Sequence, residues 1–137
     1  MSYGMAAALQ QAVYQRLSGD AALTALVGGA VYDALPAGSL PQTYVALGPE
    51  DVRERADKSG AGAWHRFTVS VITDGAGFHA AKEVAAAVSD ALSGADLSLA
   101  RGRLAALHFY RARARREGTG DVRRIDLTFR ARVEETL

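Results

Sequence analysis

VRRIDLTFRARV, residues 122–133, alternates without a break. Ile125, Leu127, Phe129, Ala131 and Val133 fall on one side, and Arg124, Asp126, Thr128, Arg130 and Arg132 on the other. A period of two with one apolar and one polar face predicts a half-buried strand that covers a core and turns its back to solvent. Just upstream, LHFYRARAR (residues 107–115) repeats the habit, and Glu117-Gly118-Thr119-Gly120-Asp121 joins the two. The pair reads as an antiparallel hairpin.

Outward from that hairpin, Trp64 to Ile72 is another alternating strand, with Phe67, Val69 and Val71 opposed to Arg66, Thr68 and Ser70. Asp74 to Gly77 then turns the chain into a helix over Phe78–Ser93. Its stripe of Phe78, Ala81, Val84, Ala85, Val88 and Leu92 is narrow and rich in Ala, which suits close packing on a sheet. Near the start, Met5, Leu9, Val13 and Leu17 mark an amphipathic helix over Met5–Leu17. Asp20 is a good N-cap for a short helix carrying Leu23, Leu26 and Val27, which Gly28-Gly29 closes. Val31-Tyr32 is a brief extended piece, Leu35 to Pro41 a turn-rich connection, and Gln42 to Leu47 a strand. Residues 97–107 are weakly patterned, with Gly102 inside.

One stretch resists any periodic reading. GPEDVRERADKSGAGA, residues 48–63, combines Glu50, Asp51, Arg53, Glu54, Arg55, Asp57 and Lys58 with small residues, and reads as a long exposed loop. The order is therefore α, α, β, β, α, β, β in a single domain spanning 1–137. That order predicts an α+β fold, a mainly antiparallel sheet with helices packed on one face.

Composition narrows the chemistry. At 49% hydrophobic and 23% charged the chain is globular in type, but only 7% is aromatic. A core of Ala and small aliphatics gains less burial energy per residue, so subunit association is a natural supplement. Zero Cys excludes disulfides, a thiol nucleophile and Cys-ligated metals. The opening MSYGMAAALQQ has no basic segment followed by an apolar block, and no apolar run approaches the roughly 20 residues a membrane span needs. Neither a leader nor a membrane partner is expected.

Several motifs suggest catalysis and fail on context. Gly75-Ala76-Gly77-Phe78-His79-Ala80 has the form of a dinucleotide fingerprint, with Asp96 downstream. The acidic residue should end a second parallel strand, yet Asp96 directly follows the helix. His65, His79 and His108 lack the i, i+4 spacing of a helical metal site and read as surface or half-buried residues. There is no G-x-S-x-G elbow. The clustered carboxylates lie in the charged stretch, away from the apolar surroundings that acid–base work requires. No enzyme activity, metal or cofactor is expected.

The net charge is +1, but its distribution is uneven. Arg101, Arg103, Arg111, Arg113, Arg115, Arg116, Arg123, Arg124, Arg130 and Arg132 all lie in the last third of the chain. Arg111, Arg113 and Arg115 share one strand face, and Arg124, Arg130 and Arg132 share that of the next. Guanidinium rows suit phosphate backbones without base readout. The plainer reading is a solvated sheet face, partly neutralised by Asp126, Glu134 and Glu135.

The order of features also has a family likeness. DAALTALVGG (residues 20–29), VYDALP (31–36), LPQTYVALG (40–48), WHRFTVSV (64–71), GFHAA (77–81) and DVRRIDLTFRARVEE (121–135) follow one another as in the tail completion (tail terminator) proteins of long-tailed phages. The chain resembles that family over nearly its whole length, particularly versions encoded by prophages and gene transfer agents. Gln42 stands where a second Pro often precedes the Tyr-Val strand. The resemblance implies a structural protein made in the bacterial cytoplasm and assembled at the tail–neck junction of a phage-like particle. There a ring, hexameric by the resemblance, ends the tail tube at its head-proximal end and joins it to the capsid neck.

The partners so implied are further copies of the chain, the tail tube protein, a head–tail connector or neck protein, and double-stranded DNA passing through the lumen without sequence specificity. Arg111, Arg113, Arg115, Arg124, Arg130 and Arg132 are the candidates for facing that DNA. Glu50, Asp51, Arg53, Glu54, Arg55, Asp57 and Lys58 are the candidates for contact between subunits or with the tube. The alternatives are a head–tail connector or a small non-specific DNA-binding protein.

Overall fold

The computed structural model describes residues 3–54, 62–75, 77–118 and 120–135. In chain order its elements are α1 (Ala6–Ser18), α2 (Ala21–Val27), β1 (Val31–Tyr32), β2 (Thr43–Glu54), β3 (Gly62–Thr73), α3 (His79–Leu92), β4 (Arg103–Arg116) and β5 (Arg123–Glu134). The strands form one sheet in the order β1-β2-β3-β5-β4. Every pairing is antiparallel except the short β1, which lies parallel to β2. The fold is α+β, as the element order predicts.

The helices form where periodicity and capping place them. Leu9, Val13 and Leu17 of α1 are buried. The Asp20 carboxylate accepts from the Leu23 N–H at 3.0 Å and starts α2, while Gly28, at φ 63°, ends it. In α3 the buried set is Ala81, Val84, Ala85, Ala87, Val88, Ala91 and Leu92, a wider stripe than the sequence suggests. The Arg16 Nε donates to the Ala91 carbonyl at 2.9 Å and ties α1 to α3. One apolar cluster joins the three helices to Val45, Phe67, Val69, Val71, Ile125, Leu127, Phe129, Ala131 and Val133. At its centre the cross-strand pair Phe67 and Phe129 stack with centroids 5.6 Å apart.

β3 and β4 both run antiparallel to β5, so they are parallel to each other. Helix α3 carries the chain across from β3 to β4, and β5 then inserts between them, a split crossover. This settles the glycine turn at 75–77. A dinucleotide site needs neighbouring parallel strands, whereas β3 has antiparallel neighbours on both sides. Gly77 serves a left-handed turn at φ 75°.

Three expectations are corrected. First, residues 48–63 are not one loop: β2 continues to Glu54 and β3 begins at Gly62. The pattern breaks because a register shift between Leu47 and Glu50 moves the alternation, and the end of β2 is exposed on both sides. Arg55, Asp57 and Lys58 lie outside the described residues.

Second, β4 starts at Arg103, earlier than the reading of 107–115. The shift at Leu104/Ala106 turns Leu104 and Leu107 both inward, at a spacing of three that no period-two scan accepts. Third, His65 is fully buried, on the core face of β3.

Candidate functional site

With the helices on one side, the opposite face of the sheet is bare, and strand register decides what stands on it. Arg111, Arg113 and Arg115 of β4 lie beside Thr128, Asp126 and Arg124 of β5. Those in turn lie beside Thr68, Ser70 and Ile72 of β3. The next rows are His108, Arg130 and Arg66, then Ala106, Arg132 and Trp64. All six sequence-predicted arginines are therefore on the helix-free face.

Their surroundings separate them. Arg124 donates through Nε to Asp126 Oδ1 at 2.9 Å and through Nη2 to Ser70 Oγ at 3.2 Å, and sits 3.8 Å from Glu117. Ser70 Oγ donates to the same Asp126 oxygen at 2.6 Å, and Arg115 stands 3.6 Å from the other. Burial pushes the Asp126 carboxyl up, but the Ser70 hydroxyl and the Arg124 and Arg115 guanidinium groups outweigh it. The net effect holds Asp126 below the usual carboxylate range. Arg130 lies over Trp64 at 4.5 Å and near the Tyr110 ring at 5.5 Å. Arg132 is buried, 6.0 Å over Trp64 and 3.8 Å from Glu134.

Arg111 and Arg113 differ: among the described residues neither has an ion-pair partner, and both are exposed. They border an open groove of about 570 Å³ with Arg115, Arg124, Arg66 and Tyr110. Arg66 covers the Tyr110 ring at 4.5 Å. The groove gathers four of the six candidates, while Arg130 and Arg132 lie outside it. Arg66 and Tyr110 join the groove without having been singled out. The β3 alternation opposes Arg66 to Phe67, which was signal enough. The Phe109/Arg111 shift sets Tyr110 and its neighbour Arg111 on the same face.

The acidic candidates divide as well. Glu50 faces the helices, where Oε1 accepts from the Tyr3 hydroxyl at 2.7 Å and Oε2 lies 3.9 Å from His65 Nδ1. Asp51 and Arg53 stand on the arginine side, 3.8 Å apart and exposed.

Among the described residues no three His, Asp or Glu side chains come together as a metal site, and no helix is long and apolar enough to cross a membrane. The face opposite the helices thus presents an open groove lined by guanidinium groups. The family model for "Tail completion protein gp17" matches residues 11–134, and the chain belongs to that family of phage tail structural proteins. Among solved structures, a chain of the virion of a native gene transfer agent particle is 67% identical. The match covers 96% of this chain and 98% of that one, with a TM-score of 0.92. No curated protein matches the sequence.

Proposed function

We propose that this chain closes into a ring, six subunits being the count the family resemblance implies. The ring caps the head-proximal end of a tail tube in a gene-transfer-agent-like particle, joins it to the neck, and lets duplex DNA pass. Family membership supports the tail role. The observation that carries the DNA path is the bare sheet face, where Arg111 and Arg113 are exposed with no ion-pair partner among the described residues. A charged groove that is open along its length attracts a sliding polyanion without gripping one sequence.

The work is all binding: cyclic heterologous contacts close the ring, one rim fits the tube and the other the neck. Adding purified protein to polymerising tail tube tests the role. Growth should stop with the protein at one end of the tube, and continued growth would instead indicate a neck connector. Replacing Arg111, Arg113 and Arg115 with Ser should lower DNA delivery while rings still form. Unchanged delivery would remove the groove from the DNA path.

A further inference from the structure

The sheet is open at both sides. At one side β4 is an edge strand from Arg103 to Arg116, with β5 as its only neighbour among the described residues. At the other, β1 pairs only with Val45 and Ala46, so from Gly48 to Arg53 the outer edge of β2 has no strand beside it among the described residues. Long open edges carry rows of backbone donors and acceptors ready to pair, and proteins normally blunt them. Here the two edges differ in net sign: Arg111, Arg113, Arg115 and Arg116 mark β4, while Glu50, Asp51 and Glu54 outnumber Arg53 on β2.

From this we infer that β4 of one subunit adds to the Gly48–Arg53 edge of β2 in the next. The inference rests on the ring reading above and deepens it by naming the joint. Charge decides the pairing. Joining β4 to β4 sets arginines against arginines, and β2 to β2 joins two edges on which carboxylates outnumber the one arginine. The unlike pairing sets the basic edge against the net acidic one, so the contact is heterologous and propagates to a closed ring instead of stopping at a two-fold dimer.

Strand direction agrees. The long strands β2, β3, β5 and β4 alternate in direction across the sheet, so β4 runs opposite to β2. Rotation about an axis roughly along the strands keeps that sense, and β4 then meets the next β2 antiparallel, continuing the alternation. A third fit lies on the helix side. Phe109 is 43% exposed there, and beside the β2 edge an open, mainly apolar groove of about 700 Å³ has Tyr3, Ala6, Ala7 and Tyr14 in its lining, with Gln10 and Glu50 among its polar members. The protruding ring of one subunit meets an apolar recess of its neighbour.

Amide hydrogen exchange on the full chain, as monomer and as assembled ring, reads the joint directly. Exchange at the outer edges of β4 and of Gly48–Arg53 should slow at least about tenfold on assembly. A second test exploits the absence of native Cys. Val52→Cys combined in turn with Phe109→Cys, Ala112→Cys or Ala114→Cys should yield an oxidised ladder ending at the ring, which the single variants do not. Rings that form with both edges still exchanging freely and no ladder overturn edge pairing and leave the ring intact. A chain that stays monomeric at all concentrations overturns both.

Discussion

His65 shows how a single position carries more than its pattern suggests. Its ring is fully buried, and among the described residues neither nitrogen has a hydrogen-bond partner. Burial pushes its pKa below the ordinary 6.5, and the neighbouring Glu50 opposes this only in part. The folded protein therefore resists protonation that the unfolded chain accepts. Stability is full above about pH 6.5 and falls as the pH drops below it. Asp126 works in a separate window: its depressed pKa stabilises the fold above 3.8 and is lost only below that. Urea midpoints measured from pH 8 to 4.5 should fall for the native chain, and His65→Leu should flatten the slope. Gly102 makes a second demand, with φ at 79° and no space for a Cβ, which would lie 2.8 Å from the Glu134 carbonyl and 2.5 Å from Met5 Sδ. Gly102→Ala should cost about 2 kcal/mol or more in chemical denaturation.

Among the elements, α3 is the one whose composition and position explain each other. Small side chains let it sit close against β3, β5 and β4, and Ala81 is wholly buried there. Ala81→Leu should overpack that contact and destabilise the protein by roughly 1–3 kcal/mol, read as a lower thermal midpoint. The short α2 depends on its cap, so Asp20→Ala should cost about 1 kcal/mol in the same assay. Both helices are legible in sequence because their stripes and caps are local. Strands β3 and β5 are legible for the same reason, each having one face on the core. Strands β2 and β4 are legible only in part. The outer half of β2 is exposed on both sides, so no alternation marks it, and the shifts in β4 break the period at Leu104 and Phe109.

For the whole molecule the question is which charges remain available once the sheet has formed. Arg124 is engaged by Asp126 and Ser70, Arg130 lies against Trp64 and Tyr110, and Arg132 is buried. On the proposed DNA path, Arg111 and Arg113 are the two left for a phosphate backbone. Duplex binding measured against salt should therefore lose about two from its log–log slope in the Arg111→Ser, Arg113→Ser double variant. Arg132→Ser should leave that slope nearly unchanged. Equal losses from both variants would mean that the groove has no privileged arginines.

Sequence alone determined the helix and strand order, the core face of β3 and β5, the Asp20 cap and the family likeness. Each rests on short-range periodicity or on residues read in a line. Tertiary structure alone decided that β5 lies between β3 and β4, that Tyr110 and Arg111 share the arginine groove, and that His65 is sealed in the core. It also left one basic and one acidic edge open on opposite sides of the sheet. Strand order and register are set by contacts between residues far apart in the chain, and no local pattern encodes which distant partner a strand will take.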